Sequence, residues 1–249
     1  MLANTVALVT GAGSGIGRAV ALAYGREGAK VVVSDLNEAS GKETMSLLQE
    51  AGVDGCFVRA DVSEPDDCQR LTDAALSQYG QLNIACNNAG IARSSSPTAQ
   101  TDLDCWRQVI DVNLSGVFYC LRAQIPAMLR HGSGSIVNIA SILGSVGQAG
   151  VAPYVASKHG VVGLTQAASL DYAAQGIRVN AVGPGFIETP LIAHRLQDEP
   201  TRRDLISRHP IGRLGQAEEV AELVVWLSSP KASFVTGSYY PIDGGYLSR

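Results

Sequence analysis

Short apolar runs alternate with longer segments of helical periodicity along almost the whole chain. The runs are rich in β-branched residues and predict buried strands, whereas the segments between them predict amphipathic helices. We predict strands at residues 5–10, 30–34, 53–60, 81–86, 135–140, 177–182 and 238–242. We predict helices at residues 18–26, 38–51, 64–79, 102–129, 154–174 and 217–228. This alternation favours an α/β fold over residues 1–249, a single Rossmann-like, doubly wound domain with a parallel sheet of about seven strands and helices on both faces.

Composition narrows the class of protein further. The 249 residues are 46% hydrophobic, and a net charge of −4 gives no electrostatic case for nucleic acid. No apolar run reaches the roughly 18 residues that span a bilayer, and residues 1–4 lead into the first strand without a basic region or cleavage site, so we expect a cytoplasmic protein with no membrane partner. The five cysteines and four histidines show no ligand spacing, which favours reduced thiols and no metal.

A glycine-rich turn follows the first predicted strand. It reads T-G-A-G-S-G-I-G over residues 10–17 and leads into the first predicted helix. Glycines let a backbone approach a pyrophosphate closely, and a helix N-terminus offers N–H donors and positive potential. The spacing is T-G-x-x-x-G-x-G rather than the common G-x-G-x-x-G. The turn predicts the opening of a nucleotide-binding unit, with a purely structural turn as the alternative.

Asp35 directly follows the second predicted strand, eighteen residues after Gly17. An acid near this distance can accept hydrogen bonds from both hydroxyls of an adenosine ribose. The same charge would repel the 2′-phosphate of NADP, and the basic residue close to the glycine-rich turn is Arg18. The residues therefore favour NAD(H) over NADP(H). The alternative role of Asp35 is to cap the next helix.

Small and polar residues recur where other predicted strands end. Asp61 and Val62 follow the third strand, N-N-A-G at residues 87–90 follows the fourth, and G-P-G-F-I-E-T at residues 183–189 follows the sixth. In a doubly wound sheet, ligands bind outside the carboxyl ends of the strands. The repetition predicts one continuous binding cleft along this edge.

Tyr154 and Lys158 stand four residues apart at the start of a predicted helix, which stacks them on one face. At about 4 Å and an effective dielectric of about 20, a lysine charge interacts with a phenolate by about 4 kcal/mol. That interaction would lower the tyrosine pKa from about 10 toward neutrality, where a phenol can donate or accept a proton. Ser141 ends the preceding strand, and a glycine-rich loop joins it to the tyrosine. Taken alone, a Y-x-x-x-K pair on a helix often arises by chance.

Taken together, these residues resemble the short-chain dehydrogenase/reductase family, in its compact single-domain branch. The resemblance covers essentially the whole chain. Its motifs occur in the family's order, namely T-G-x-x-x-G-x-G at residues 10–17, Asp61-Val62, N-N-A-G at residues 87–90, Asn113, Ser141, Y-x-x-x-K at residues 154–158 and Pro184-Gly185.

The resemblance implies a role for each catalytic candidate. Tyr154 would exchange a proton with the substrate oxygen, and Ser141 would hydrogen-bond that oxygen as it gains negative charge. Lys158 would bind the nicotinamide ribose and lower the tyrosine pKa. Asn113, in the middle of the predicted helix at residues 102–129, would distort that helix locally and hold a water that links Lys158 to solvent.

The resemblance also implies a cofactor site along the strand ends. Asp61 and Val62 would lie along the adenine, and residues 88–90 along the adenosine ribose side. Ile187 and Thr189 would anchor the carboxamide and so choose which face of the nicotinamide is presented. The complete implied set is Gly11, Ser14, Gly15, Ile16, Gly17, Asp35, Asp61, Val62, Asn88, Ala89, Gly90, Tyr154, Lys158, Pro184, Gly185, Ile187 and Thr189.

We expect the substrate pocket to be lined by the residues after Ser141, by residues 92–96 and by a covering insert at residues 186–210. The insert is charged and weakly periodic from residue 190 onward, which is typical of a mobile segment that closes over a ligand. Most lining residues are aliphatic or small, which favours a small to medium, largely uncharged ketone or secondary alcohol, with cyclic substrates included. The candidate substrate contacts are Leu143, Gln148 and Phe186. Charged side chains that could meet an acidic group are Arg93, His194 and Arg195, although loop charges are usually solvated.

The implied function is NAD(H)-dependent interconversion of a secondary alcohol and a ketone by hydride transfer, with Tyr154 as the acid/base. A first alternative is a 3-oxoacyl-acyl carrier protein reductase that uses NADPH, which the P-G-F-I-E-T run at residues 184–189 resembles and Asp35 argues against. A second is a non-catalytic dinucleotide-binding regulator, which the presence of all the catalytic candidates argues against. Family members of this size are usually homotetramers, and we expect one here because both long predicted helices carry apolar residues on more than one face.

Overall fold

A seven-stranded parallel sheet runs through the middle of the protein. The computed structural model describes residues 1–93 and 96–248, apart from the side chain of Arg195. The strands are β1 (Val6–Thr10), β2 (Lys30–Asp35), β3 (Gly55–Arg59), β4 (Ile84–Asn87), β5 (Gly134–Ile139), β6 (Ile177–Pro184) and β7 (Tyr239–Ile242). Their order across the sheet is β3-β2-β1-β4-β5-β6-β7, and every neighbouring pair is parallel. The predicted fold class is confirmed.

Helices cover both faces of the sheet. They are α1 (Gly15–Arg26), α2 (Glu38–Glu50), α3 (Pro65–Tyr79), α4 (Leu103–Ile110), α5 (Gly116–Leu129), α6 (Ala152–Tyr172), α7 (Ala193–Leu196), α8 (Glu199–Ser207) and α9 (Ala217–Ser228). One apolar core joins the sheet to α1, α2 and α9, and a second joins it to α3, α5 and α6. Because both faces are buried, the strands lack polar alternation: every residue of β1 is buried.

Local signals set the ends of several helices. The Asn37 side chain accepts a hydrogen bond from the Ser40 N–H at 3.1 Å and so begins α2. The Asp102 side chain does the same for α4, through the Cys105 N–H at 2.8 Å. Gly80, with φ 76°, ends α3 in the left-handed conformation that favours glycine. These caps explain why the predicted ends of these helices lie close to the observed ones.

The predicted helix at residues 102–129 is interrupted. A π-helical turn at Asp111–Ser115 separates α4 from α5, and it contains Asn113. The third predicted strand is also shorter than expected, since β3 begins at Gly55 and residues 53 and 54 have no regular secondary structure. Within the described residues, no helix is both long and apolar enough to cross a membrane.

Candidate active site

The glycine turn after β1 is bound directly to the segment after β4. The Thr10 hydroxyl accepts hydrogen bonds from the backbone N–H groups of Asn88 at 3.0 Å and Ala89 at 3.1 Å. The Asn88 amide in turn donates to the carbonyl oxygens of Thr10 and Gly11, each at 3.0 Å. A Cβ at position 17 would lie 2.2 Å from the Gly11 oxygen, so only glycine lets α1 begin so close to the turn. Strand ends that are distant in sequence thus form one edge, as predicted.

The first turn of α1 has hydrogen-bond donors to offer a phosphate. Ser14 precedes the helix with an extended backbone, but its side chain makes no capping hydrogen bond to the helix. The first N–H groups of a helix have no intrahelical partner and favour an anion. The turn therefore fits a pyrophosphate group.

Asp35 lies at the end of β2 and faces the glycine turn. One carboxylate oxygen accepts the Gly13 N–H and the other accepts the Asn37 N–H, both at 2.8 Å. Arg18 is occupied elsewhere, since its guanidinium donates to the Gly13 carbonyl, to Thr44 and to the Glu43 carboxylate. The basic residue that the sequence suggested as a partner for a 2′-phosphate is therefore held in an ion pair.

A second basic residue lies near this acid and was not among the predicted site residues. Arg59 lies opposite Asp35 in the register of β2 and β3, and its Nε donates to the Leu36 carbonyl oxygen at 3.2 Å. The two positions are far apart in sequence, so only the pairing of the strands brings them together. Knowing that β2 and β3 are adjacent and parallel would have been sufficient to find it.

A cleft of about 520 Å³ runs along this edge of the sheet. Exposed Leu36 forms part of its wall near Asp35. The sequence-predicted cofactor residues that line the cleft are Gly11, Ser14, Gly15, Ile16, Asp35, Asp61, Val62, Asn88, Ala89, Gly90 and Thr189. Gly17 lines neither this cleft nor the next cavity; it packs beneath the turn.

A second cavity, of about 170 Å³, adjoins the cleft, and we call it the catalytic cavity. Ile16, Asn88, Gly90 and Thr189 line both. The structure brings the remaining predicted residues together here, namely Ser141, Leu143, Gln148, Tyr154, Lys158, Pro184, Gly185, Phe186 and Ile187. Of the predicted catalytic residues, only Asn113 is absent from its lining. The cavity wall is mostly apolar, and the hydroxyl and ammonium groups of three predicted catalytic residues lie together within it.

The hydroxyl of Ser141 and the phenol of Tyr154 lie at the junction of β5 and α6. Ser141 Oγ accepts the Leu143 N–H at 3.1 Å, which fixes the serine at the strand end. Burial raises the pKa of Tyr154, and a hydrogen bond with Ser141 acts in the opposite direction. The phenol is therefore protonated at neutral pH in this structure.

Lys158 is buried, with 4% of its surface exposed, and it does not act on Tyr154 as predicted. Its Nζ donates to the Ile139 carbonyl oxygen at 2.8 Å and lies 5.6 Å from the centroid of the tyrosine ring. Burial lowers the pKa of Lys158 to about 8. The expected lowering of the tyrosine pKa toward neutrality by Lys158 is not seen in this conformation, because burial raises that pKa instead.

Asn113 is fully buried in the π-helical turn and binds the segment after β4. Its Oδ1 accepts the Ile91 N–H at 2.8 Å, and its Nδ2 donates to the Ile91 carbonyl at 2.9 Å. A longer contact of 3.4 Å reaches the Ser157 hydroxyl. The local distortion of the helix is confirmed. The water relay through Asn113 stays a prediction.

His209 was not among the predicted site residues, yet it contacts the catalytic cavity through Phe186. The Phe186 N–H donates to His209 Nε2 at 3.2 Å, so the ring proton is on Nδ1, which donates to the Leu205 carbonyl at 2.8 Å. A Cβ on Gly185 would lie 2.8 Å from Nε2, which explains the glycine. A buried histidine in a charged segment gives no sequence signal of this role.

The covering insert packs onto the catalytic cavity through α7 and α8. Leu205 of α8 is fully buried, in a cluster with Ile142, Leu143, Phe186 and Leu214. Arg93 is exposed and lines both the cleft and the catalytic cavity. Ser94 and Ser95 of the predicted lining segment, and the side chain of Arg195, lie outside the described residues. Across residues 1–93 and 96–248, no group of three or more His, Cys, Asp or Glu side chains is arranged to hold a metal ion.

These features define a class of protein: a Rossmann-like α/β protein with a nucleotide cleft that leads to a serine, a tyrosine and a lysine. A family model described as enoyl-(acyl carrier protein) reductase matches residues 11–247. The chain belongs to the short-chain dehydrogenase/reductase family, as predicted.

Named relatives extend over almost the whole chain. A cyclohexanol dehydrogenase of Acinetobacter sp. (strain SE19) is 48% identical, over 99% of this chain and 96% of its own. A cis-4-hydroxycyclohexanecarboxylate dehydrogenase of Sinomonas cyclohexanicum is 45% identical, over 99% and 98%. A 3-oxoacyl-[acyl-carrier-protein] reductase of Staphylococcus aureus (strain Mu50) is 41% identical, over 96% of each chain. The crystal structure of levodione reductase superposes with a TM-score of 0.96 at 34% identity, over 100% of this chain and 99% of its own.

Proposed function

We propose that this protein is an NAD(H)-dependent dehydrogenase/reductase that interconverts a small, largely uncharged cyclic secondary alcohol and the corresponding ketone. One observation carries the proposal: Ser141, Tyr154 and Lys158 meet in an apolar cavity that opens onto a cleft ending at Asp35. We propose further that residues 1–249 act as one catalytic domain, since β1 and β7 belong to the same sheet.

The catalytic residues act on the substrate oxygen. Tyr154 donates a proton to that oxygen during ketone reduction and removes it during alcohol oxidation. Ser141 donates a hydrogen bond that stabilises the developing alkoxide. When bound, a nicotinamide cofactor supplies or accepts the hydride. Lys158 holds its ammonium beside the phenol and is in position to bind the nicotinamide ribose, and Asn113 holds the neighbouring backbone at Ile91.

The preference for NAD(H) rests on Asp35. Its carboxylate is fixed by two backbone N–H groups, so its charge stays at the ribose end of the cleft. A 2′-phosphate there would meet this negative charge, while Arg18 is already paired with Glu43. Arg59 donates to the Leu36 carbonyl oxygen and does not line the cleft. The remaining predicted cofactor residues along the cleft serve the adenine, the pyrophosphate and the nicotinamide.

The cavity supports a small, mainly apolar substrate. Its volume of about 170 Å³ is close to that of a cavity of roughly 150 Å³ that binds one benzene ring in another protein. Two relatives are named for reactions on six-membered carbocycles. Leu143 and Phe186 provide apolar contacts, and Gln148 a polar one.

A panel of alcohols and ketones assayed with NAD(H) and with NADP(H) tests this function. We expect turnover of cyclohexanol and cyclohexanone with NAD(H), and at least tenfold lower kcat/KM with NADP(H). Absence of turnover with every cyclic and acyclic compound under conditions where the protein is folded would contradict the proposal.

A second candidate function is reduction of 3-oxoacyl thioesters with NADPH, favoured by the relative from Staphylococcus aureus. A 3-oxoacyl thioester in the same panel separates the two functions. A kcat/KM with NADPH that exceeds the value for every cyclic ketone would establish this candidate instead.

We propose that the protein is a cytoplasmic homotetramer. Exposed apolar side chains on α4, α5 and α6 support assembly, and they are Leu103, Trp106, Phe118 and Leu170. All five cysteines are free thiols, as expected in a reducing compartment. A mass measurement in solution by light scattering tests the assembly, and a monomer at micromolar concentration would contradict it.

A further inference from the structure

Gln148 is a polar residue in the catalytic cavity whose buried oxygen has no hydrogen-bond donor among the described residues. Its Oε1 is buried and accepts no hydrogen bond from any described residue. Buried polar groups without partners are few in native proteins, and each calls for an explanation. Among the described residues, the other such side-chain atom is Ser34 Oγ, which lines the cofactor cleft. Both atoms therefore lie where a ligand would bind.

The other polar groups of the cavity already have tasks. In the proposed reaction, Ser141 and Tyr154 bind the oxygen on the reacting carbon of the substrate. The Asn88 and Thr189 side chains donate to backbone carbonyl oxygens. Arg93 is exposed, at the side where the cavity joins the cleft. Among the described residues, the Gln148 Oε1 atom is therefore the buried polar atom that remains for the part of the substrate away from the reacting carbon.

The surroundings of Gln148 make this contact selective. It lies between Gly147 and Ala149 in the loop that leads to α6, and the apolar side chains of Leu143 and Val151 line the same cavity. A substrate that is apolar throughout would leave the carboxamide unpaired in an apolar setting. A substrate with one additional polar group would remove that penalty.

The hydrogen-bonding chemistry of a carboxamide indicates which additional polar group of the substrate would fit. The buried atom without a partner is the carboxamide oxygen, which is an acceptor and needs a hydrogen-bond donor. A hydroxyl group can donate to this oxygen, whereas an ether oxygen only accepts. We infer that Gln148 recognises a second hydroxyl group, so that the preferred substrates are diols or hydroxyketones of a single carbocycle. This inference rests on the proposed function for the reaction itself.

Steady-state kinetics on matched ring alcohols tests the inference. We would compare cyclohexanol, the cyclohexane-1,2-, 1,3- and 1,4-diols, and the monomethyl ethers of these diols. We expect kcat/KM for at least one diol to exceed that for cyclohexanol and for its own ether by about tenfold, the effect of one hydrogen bond to an otherwise unpaired group. Gln148→Met should abolish this preference, so that the variant has about the same kcat/KM for the diol, its ether and cyclohexanol.

A control variant and a binding measurement make the outcome decisive. Val151→Ala, an apolar change in the same cavity, should lower kcat/KM for all these alcohols alike. Calorimetry with protein saturated with the reduced cofactor, on which an alcohol cannot react, should show the same preference for the diol and its loss in Gln148→Met. Equal binding of diol and cyclohexanol would overturn the role of Gln148. A diol preference in binding without any turnover would support that role and overturn the proposed reaction.

Discussion

The Asp35 carboxylate accepts a hydrogen bond from the Gly13 N–H at 2.8 Å, so the acid that ends β2 is fixed to the glycine turn after β1. A Cβ on Gly13 would lie 2.8 Å from this oxygen, and any larger residue would displace the acid. The two motifs that the sequence places at separate strand ends therefore form one rigid unit. The position of the charge, and with it the proposed preference for NAD(H), depends on both.

Replacing Asp35 by Asn should change the cofactor preference. The change removes the charge but keeps an oxygen that can accept the Gly13 N–H. We expect the ratio of kcat/KM for NADH to that for NADPH to fall about tenfold, because a neighbouring negative charge is worth about 1 kcal/mol or more against a phosphate at this range. Initial rates with both cofactors measure the ratio.

Asp61→Asn is the matched control for this variant. Asp61 follows β3 and lines the same cleft, so the variant also removes one negative charge there. That charge is not at the proposed position of the adenosine ribose. The variant should weaken binding of both cofactors alike and leave their ratio unchanged. An unchanged ratio in Asp35→Asn would contradict the role of Asp35, and an equal fall in both variants would show that the effect is one of net charge.

Part of the site could be predicted from the sequence, because some of its residues are placed by short-range sequence pattern. The positions of Tyr154 and Lys158, four residues apart on one helix, and of Ser141 at a strand end follow from short-range pattern. Arg59 beside Asp35 and His209 beside Phe186 arise from contacts between distant segments, which no local pattern specifies. The pKa of Tyr154 was misjudged for a related reason: the distance to Lys158 was assumed, and the depth of burial was unknown.

The same distinction holds for the fold. Strand and helix alternation predicted the parallel sheet, because strands buried on both faces differ clearly from amphipathic helices. The break at Asp111–Ser115 lies within continuous helical periodicity, so the pattern alone predicts one helix. The break becomes understandable only when Asn113 is seen to bind Ile91 on the far side of the cleft.

Lys158 should reduce the free energy of unfolding of the protein, although the proposed reaction needs it. Burial lowers its pKa from 10.5 to about 8, so the unfolded chain binds more protons between these values and stability rises with pH across this window. Below pH 8 the buried lysine lowers the free energy of unfolding by its full amount, about 3 kcal/mol. Lys158→Met should therefore raise the free energy of unfolding of the cofactor-free protein at pH 7 by about 2 kcal/mol, after allowance for the lost bond to Ile139. Activity should be lost.

Denaturant unfolding of the wild type and the variant between pH 7 and pH 10 measures this difference, which should shrink toward the upper end. Lys42→Met serves as the control, since Lys42 is exposed and its ion pair with Glu38 is on the surface. It should change stability by less than about 1 kcal/mol at every pH. A Lys158→Met protein that is less stable than the wild type at pH 7 would contradict the prediction.

Tyr154 should give the two directions of the reaction opposite pH profiles. Burial raises its pKa, so the phenol is protonated at neutral pH and ready to donate. Because that pKa lies above the ordinary tyrosine value of about 10, ketone reduction should fall only as the pH rises above 10, and alcohol oxidation, which needs the phenolate as base, should rise over the same range. Tyr154→Phe should lower both rates by about 10²–10⁴-fold and remove the slopes.

Stopped assays across the pH range, with each buffer checked for stability of the cofactor, measure these profiles. Tyr172→Phe is a suitable control, because Tyr172 ends the same helix but does not line the catalytic cavity. It should leave both profiles unchanged. Near-normal turnover in Tyr154→Phe would show that another group moves the proton.

His209 should act as a positioning residue for the wall of the catalytic cavity. Its Nε2 accepts the Phe186 N–H and its Nδ1 donates to the Leu205 carbonyl, so one neutral ring joins the end of β6 to α8. Gln places an acceptor near the Nε2 position, Asn places a donor near the Nδ1 position, and Leu provides neither. We expect the substrate KM to rise about tenfold in His209→Leu and His209→Asn with a smaller change in kcat, while His209→Gln stays within about threefold of the wild type.

Thermal unfolding separates this effect from a general loss of stability, because Leu and Asn should raise KM alike even if their melting temperatures differ. A KM that follows the melting temperature across the three variants, rather than the presence of an acceptor for Phe186, would show that His209 has only a structural role.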